Sequence, residues 1–285
     1  MLKTILRLVG VITLCIGLLT ACSHSTKKNV DPYAGMSATY LYALGHNMAQ
    51  KDDYSDAVKV LESLNSQYPF TQYSKLGTLT LIYSYYRDGD PALALATASR
   101  YIRLYPTDPD AAYAYYMMGV IDFNNGRGFL ERHFPYAMSQ HAISNYQAAY
   151  KNFQMVISQY PQSIYTTDAR RRMMYLKSVM AQYELNIAEF YYQQGAYVAS
   201  ANRASNVLIH YPHTIQVEAA LALMVKDYHA LDLPNLANQT ARLLGANFPA
   251  NPEGKNYQPL PSEMGPSAPV QHIIAPPTLA GHTTK

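Results

Sequence analysis

Residues 54–69 read YSDAVKVLESLNSQYP. Tyr54, Ala57, Leu61 and Leu64 are spaced by three and four, which puts them on one face of an α-helix. Pro69 cannot extend that helix, and it biases Tyr68 away from helical backbone. The arrangement returns along the chain. Aromatic–proline pairs stand at Tyr68-Pro69, Tyr105-Pro106, Tyr160-Pro161, Tyr211-Pro212 and Phe248-Pro249, and the first and last intervals between prolines are both 37 residues. Ahead of the later prolines lie Ala94, Ala98 and Tyr101; Tyr146, Ala149, Phe153 and Val156; Tyr197, Ala204 and Val207; and Ala237, Ala241 and Leu244. The small Ala in each stripe lets a paired helix come close. Period-two alternation is absent, which excludes strands over these stretches.

Each striped helix follows another across a turn, at Lys51-Asp52-Asp53, Asp88-Gly89-Asp90, Gln194-Gly195 and Asp232-Leu233-Pro234. Helix, turn, helix and proline stop, repeated every thirty-odd residues, resembles the tetratricopeptide repeat; Leu44-Gly45 and Met118-Gly119 match its Leu-Gly position. The expected fold class is therefore all-α, a tetratricopeptide-like solenoid of about five helix pairs. Residues 38–160 form an amino-terminal array, with first and second helices of the third pair near 113–123 and 146–158 and an inserted loop at 124–141. That loop carries Gly126, Gly128 and Pro135 with Phe129, Phe134 and Tyr136, the composition of a packed loop. Residues 161–249 form a carboxy-terminal array, joined to the first by one long helix from about Thr167 to Gln193, capped by Thr166 or Thr167. Residues 250–285 read as a Pro-rich, disordered tail: eight of the seventeen prolines and only four charged residues lie beyond Phe248.

The amino terminus has a different logic. Lys3 and Arg7 precede an apolar run from Leu8 to Ala21 that is short for a permanent membrane span, so residues 1–21 read as a secretory signal peptide. Its end, Leu19-Thr20-Ala21-Cys22, resembles the bacterial lipobox, which implies cleavage before Cys22 and covalent lipid on its thiol and amino group. Ordinary cleavage leaving a free Cys22, or an uncleaved anchor, are the alternatives. Two or more acyl chains make attachment effectively permanent, where one is marginal. Ser23, where an Asp would favour the inner membrane in similar lipoproteins, points to the periplasmic face of the outer membrane. Residues 22–37 then form a lipid-proximal tether, polar through Lys27, Lys28, Asn29 and Asp31.

Composition removes whole classes of function. With 49% hydrophobic and 14% charged residues the 285-residue chain can bury a large core. A net charge of +3 gives no footprint for nucleic acid, and two cysteines exclude a disulfide framework or a cysteine-built zinc fold. No phosphate-binding loop, zinc-protease or serine-hydrolase motif is present, and Gly126-Arg127-Gly128 lacks the third glycine of a dinucleotide loop. His210 and His213 straddle a proline break, which denies them a shared helical face for metal. Arg170-Arg171-Arg172 wraps almost a full turn, so one is expected in solvent and one packed by its stem. No catalytic residue, metal or cofactor is expected apart from the lipid on Cys22.

What a stack of helix pairs offers is surface. By register, the first helices carry Tyr42 and His46, then Tyr83, Tyr86 and Arg87, then Tyr113, Tyr116 and Asn124, as candidates for a groove that takes an extended, aromatic-bearing peptide. About half of these tyrosines are expected to pack between repeats instead.

Several segments, in order, resemble the BamD (ComL) family, the lipoprotein subunit of the outer-membrane β-barrel assembly machinery. They include residues 68–74 (YPFTQYS), 81–86 (LIYSYY), 102–107 (IRLYPT), 160–169 (YPQSIYTTDA), 188–192 (AEFYY) and 195–203 (GAYVASANR). The resemblance implies five repeats and no enzymatic activity. It implies amino-terminal repeats that receive unfolded outer-membrane proteins, and carboxy-terminal repeats that dock the periplasmic domains of the barrel subunit BamA and contact accessory lipoproteins. It also gives Arg203 a partner-binding role, pairing with a carboxylate of the barrel subunit. The insertion and the tail depart from the commonest family pattern. Two other classes compete: another periplasmic repeat lipoprotein that scaffolds cell-wall enzymes, and a lipoprotein enzyme.

Overall fold

The computed structural model of the chain describes residues 31–125 and 140–248. The signal peptide, Cys22, most of the tether, the core of the insertion with Phe129, Phe134 and Tyr136, and the tail from 249 lie outside them. Residues 31–36, in the unit that ends at Met36, make two successive turns, closed by Ala34 N–H to Asp31 O at 3.1 Å and Met36 N–H to Tyr33 O at 3.2 Å. The described residues from Ser37 onward belong to the second compact unit. Its described residues are all helix and turn, with no strand.

Ten helices follow in order: α1 (Ala38–Gln50), α2 (Tyr54–Gln67), α3 (Gln72–Asp88), α4 (Pro91–Leu104), α5 (Ala111–Asn125), α6 (Gln140–Gln159), α7 (Thr166–Gln193), α8 (Tyr197–His210), α9 (Gln216–Ala230) and α10 (Pro234–Asn247). Every helix packs on the next, and α1 on α3, α3 on α5 and α7 on α9 as well. The first members of successive pairs therefore form one layer and the second members another, which is the tetratricopeptide-like stack of five pairs.

The turn within a pair repeats one device. Asp52, Gly89, Gly195 and Asp232 sit at φ of 64°, 93°, 74° and 57°, just past the end of a first helix. The next residue then donates its N–H five residues back: Asp53 to Met48 O, Asp90 to Tyr85 O, Ala196 to Tyr191 O and Leu233 to Tyr228 O. This left-handed closure satisfies carbonyls that a helix end leaves open, and it reverses the chain without a side-chain cap.

The turn between pairs follows from the aromatic–proline pair. Tyr68, Tyr105, Tyr211 and Phe248 are pushed out of helical backbone to φ near −130° and ψ between 45° and 59°, as the proline that follows dictates. Three residues on, Thr71 and Thr214 donate their hydroxyls to the carbonyls of Tyr68 and Tyr211 at 3.1 and 2.9 Å.

Packing follows the stripes. Tyr54, Ala57, Leu61 and Leu64, then Ala94, Ala98 and Tyr101, then Tyr146, Ala149, Phe153 and Val156, are all buried. The last stripe departs from this: Ala237 is buried, but Ala241 is exposed and Leu244 half-buried, and among the described residues no further pair covers α10.

Other details also differ from expectation. The insertion is shorter, since Asn124 and Asn125 continue α5 and Gln140 already belongs to α6. Neither Thr166 nor Thr167 caps α7; the cap residue is Tyr165, and Thr166 donates its hydroxyl to Tyr160 O at 2.9 Å instead. The three arginines divide as expected between solvent and packing: Arg170 and Arg171 face solvent and Arg172 is buried.

Candidate functional site

The groove candidates divide into core and surface. Tyr42, Tyr83, Tyr113 and Tyr116 are buried, the last two with no exposure at all. Tyr113 and Tyr116 pack on Tyr165, with ring centroids 5.5 and 5.0 Å apart, and Tyr116 donates its hydroxyl to Asp168 Oδ2 at 2.6 Å. Those two rings join α5 to α7. Buried as they are, Tyr42, Tyr83, Tyr113 and Tyr116 offer no open ring to a peptide, which corrects the expectation for all four and leaves the surface with fewer tyrosines than the half expected.

What remains open is one cluster on the layer of first helices. Arg87, in the last turn of α3, donates from Nη1 to Tyr83 Oη at 2.6 Å and lies 4.6 Å from the centre of the Tyr54 ring. Its Nη2 stands 3.8 Å from Asp52 Oδ1, and Tyr54 donates its hydroxyl to the same Asp52 carboxylate. The left-handed turn after α1 thus faces Arg87 in the last turn of α3. One residue back, Tyr86 accepts a hydrogen bond from Asn124 Nδ2 at 2.7 Å, tying α3 to α5. Burial pushes the Tyr86 hydroxyl above its ordinary pKa, so it stays protonated and can donate. Tyr86, Arg87 and Asn124 together present a half-exposed ring, a guanidinium with N–H groups to spare and an amide.

Tyr42 and His46 stack on each other one pair earlier, at 5.7 Å and 17°. His46 is half-buried, and burial lowers its pKa, so the imidazole is held neutral. Its Nε2 is 3.1 Å from Gln50 Nε2, while the buried Nδ1 has no partner among the described residues.

Arg203 lies far along the stack, on α8. Its Nη1 donates to Glu184 Oε2 of α7 at 3.1 Å, and Asn206 Nδ2 reaches the same oxygen at 3.4 Å. The Arg203 side chain is still 41% exposed. An outside carboxylate would therefore share or displace an existing ion pair, which the sequence did not foretell.

Sequence reasoning missed Asp52 and Tyr54 as supports of the Arg87 cluster. The turn signal at Lys51-Asp52-Asp53 was visible, but which arginine it faces depends on the next pair. It also missed an apolar cavity of about 460 Å³ between α8, α9 and α10. No group of His, Cys, Asp and Glu that could hold a metal occurs among the described residues, and none of their helices is long and apolar enough to cross a membrane.

Comparison with known proteins places the chain among relatives. A family model described as outer membrane lipoprotein (YfiO) matches residues 34–243. The outer membrane protein assembly factor BamD of Pasteurella multocida is 36% identical over 245 residues, covering 83% of this chain and 92% of its own length. The BamD of Neisseria gonorrhoeae is 34% identical over 244 residues, covering 85% and 91%. That of Haemophilus influenzae is 32% identical over 268 residues, covering 94% and 97%.

Proposed function

The chain belongs to the BamD family of outer-membrane protein assembly factors, and from that premise we propose that it is a non-enzymatic scaffold, anchored through lipid on Cys22 to the periplasmic face of the outer membrane. Its early repeats bind unfolded outer-membrane proteins, and its later repeats hold the BamA-type barrel subunit and accessory lipoproteins. The observation that supports the substrate half is the Tyr86–Arg87–Asn124 cluster, which links α3 and α5 on the layer that lines the inner face of such stacks. A ring beside a guanidinium and an amide suits an extended chain, offering apolar contact to side chains and hydrogen bonds to carbonyls. Arg203, exposed enough to meet a second carboxylate, supports the partner half.

The test is crosslinking of an unfolded outer-membrane-protein peptide to the full chain. Tyr86→Ala combined with Arg87→Ala is expected to lower the yield about tenfold, two lost anchors being worth roughly 1 kcal/mol or more together. An unchanged yield would overturn the groove. Tyr116→Ala is no substitute, because that ring is core.

A further inference from the structure

We infer that the apolar cavity at the carboxy-terminal end of the stack is a docking site for this chain's own tail, through the uncharged stretch around residues 270–275 (VQHIIA). The stripes of α2, α4 and α6 are buried, as are Ala204 and Val207 of α8; among the described residues no pair follows α10. Only Ala237 of α10 is buried, and Leu236 and Leu243 are 42% and 49% exposed. Terminal repeats of a solenoid ordinarily turn a polar face outward; here Asn235, Asn238, Gln239 and Arg242 do so, but Leu236 and Leu243 stand exposed among them.

Beside that face lies the cavity of about 460 Å³, whose apolar wall is Leu208, Ile215, Val217, Leu221, Leu243 and Phe248. No Asp, Glu, Lys or Arg lines it, so a charged segment would be desolvated there without a partner. The volume lies within the range of about 300–1,000 Å³ typical of ligand pockets.

The occupant is identified by where the chain goes next. Phe248 is both a wall of the cavity and the last residue described, and 37 residues follow it. Within them, residues 264–284 contain no Asp, Glu, Lys or Arg, yet they carry Val270, Ile273, Ile274 and Leu279. The composition of the segment matches that of the wall. A linker of some 25 residues from Phe248 to Ile274 has a root-mean-square reach of roughly 25–30 Å, starting at the cavity's own edge. Its effective concentration is in the millimolar range, so even a contact of about 1 mM intrinsic affinity would be half occupied. A second copy or a foreign chain would have to overcome that local advantage. Docked, the tail completes the stack that α10 leaves open; displaced, it frees the same apolar face.

The test places a photoreactive p-benzoylphenylalanine at Leu243, an exposed position, in the purified full-length chain at low micromolar concentration. Irradiation is expected to crosslink it to residues 264–284 within a species of monomeric mass. Ile273→Asp combined with Ile274→Asp, changes outside the folded stack, should lower that yield about tenfold. Amide exchange across α10 should accelerate several-fold in the same variant. A crosslink of dimeric mass, capture of a different protein in membranes in place of the tail, or a yield and exchange indifferent to the two Asp substitutions would each overturn the assignment.

Discussion

Arg172 shows how far one residue's role can lie from its sequence neighbours. Arg170 and Arg171 face solvent, while Arg172 Nε donates to Asp168 Oδ2 at 2.5 Å with the two side chains only 6% and 13% exposed. Its guanidinium lies 5.5 Å from the Phe123 ring and 6.0 Å from that of Phe153, so α5, α6 and α7 meet on it. Arg172→Leu would leave the Asp168 carboxylate buried without its cation. Unfolding in urea should show a loss of about 3–5 kcal/mol.

Asp122 makes a pH-dependent contribution of the opposite kind. It is buried on α5 and accepts a hydrogen bond from Asn152 Nδ2 at 2.9 Å. Burial raises its pKa to about 6, and the Asn152 bond only partly opposes this. The folded chain therefore keeps a proton that the unfolded chain releases, so this residue adds stability as pH falls from about 7 towards 4. Asp122→Asn should remove on the order of 2 kcal/mol of that gain, read as the difference between the stability–pH curves of the two proteins.

At the scale of elements, the helices come close where Gly replaces a side chain. A Cβ on Gly119 of α5 would lie 2.6 Å from the Phe153 ring of α6, and one on Gly45 of α1 2.7 Å from Leu61 of α2. Alanine favours an isolated helix by about 1 kcal/mol over glycine, but a fully buried ring has nowhere to retreat. Gly119→Ala should therefore destabilise by about 1–3 kcal/mol. Phe153→Leu in the same chain should recover part of that loss, a coupling measurable in a double-mutant cycle.

Helices, turns and stops were legible because their causes are local. An apolar stripe at helical spacing, a proline that forbids the next turn and an Asp or Gly that tolerates left-handed backbone each act within a few residues. The cap of α7 was not legible, since Thr166 spends its hydroxyl on Tyr160 O at 2.9 Å rather than on its own helix. Nor was the split among the tyrosines. Tyr113 and Tyr116 are core because Tyr165, some fifty residues on, packs against both. Tyr86 stays half-exposed because Asn124 holds it across the pair boundary.

At the scale of the stack, five helix pairs present a long series of surface positions rather than one central site. Tyr86, Arg87 and Asn124 lie on its early part and Arg203 on its later part, the separation that the proposed binding of two partners requires. The most direct test is crosslinked copurification of the full-length chain from detergent-solubilised outer membranes. A barrel-type subunit is expected in the eluate, with its yield reduced by Arg203→Ala, since truncating one partner of the proposed ion pair, once buried in the complex, would cost about 2–5 kcal/mol. Recovery of cell-wall hydrolases or synthases with no barrel protein would contradict the assembly role.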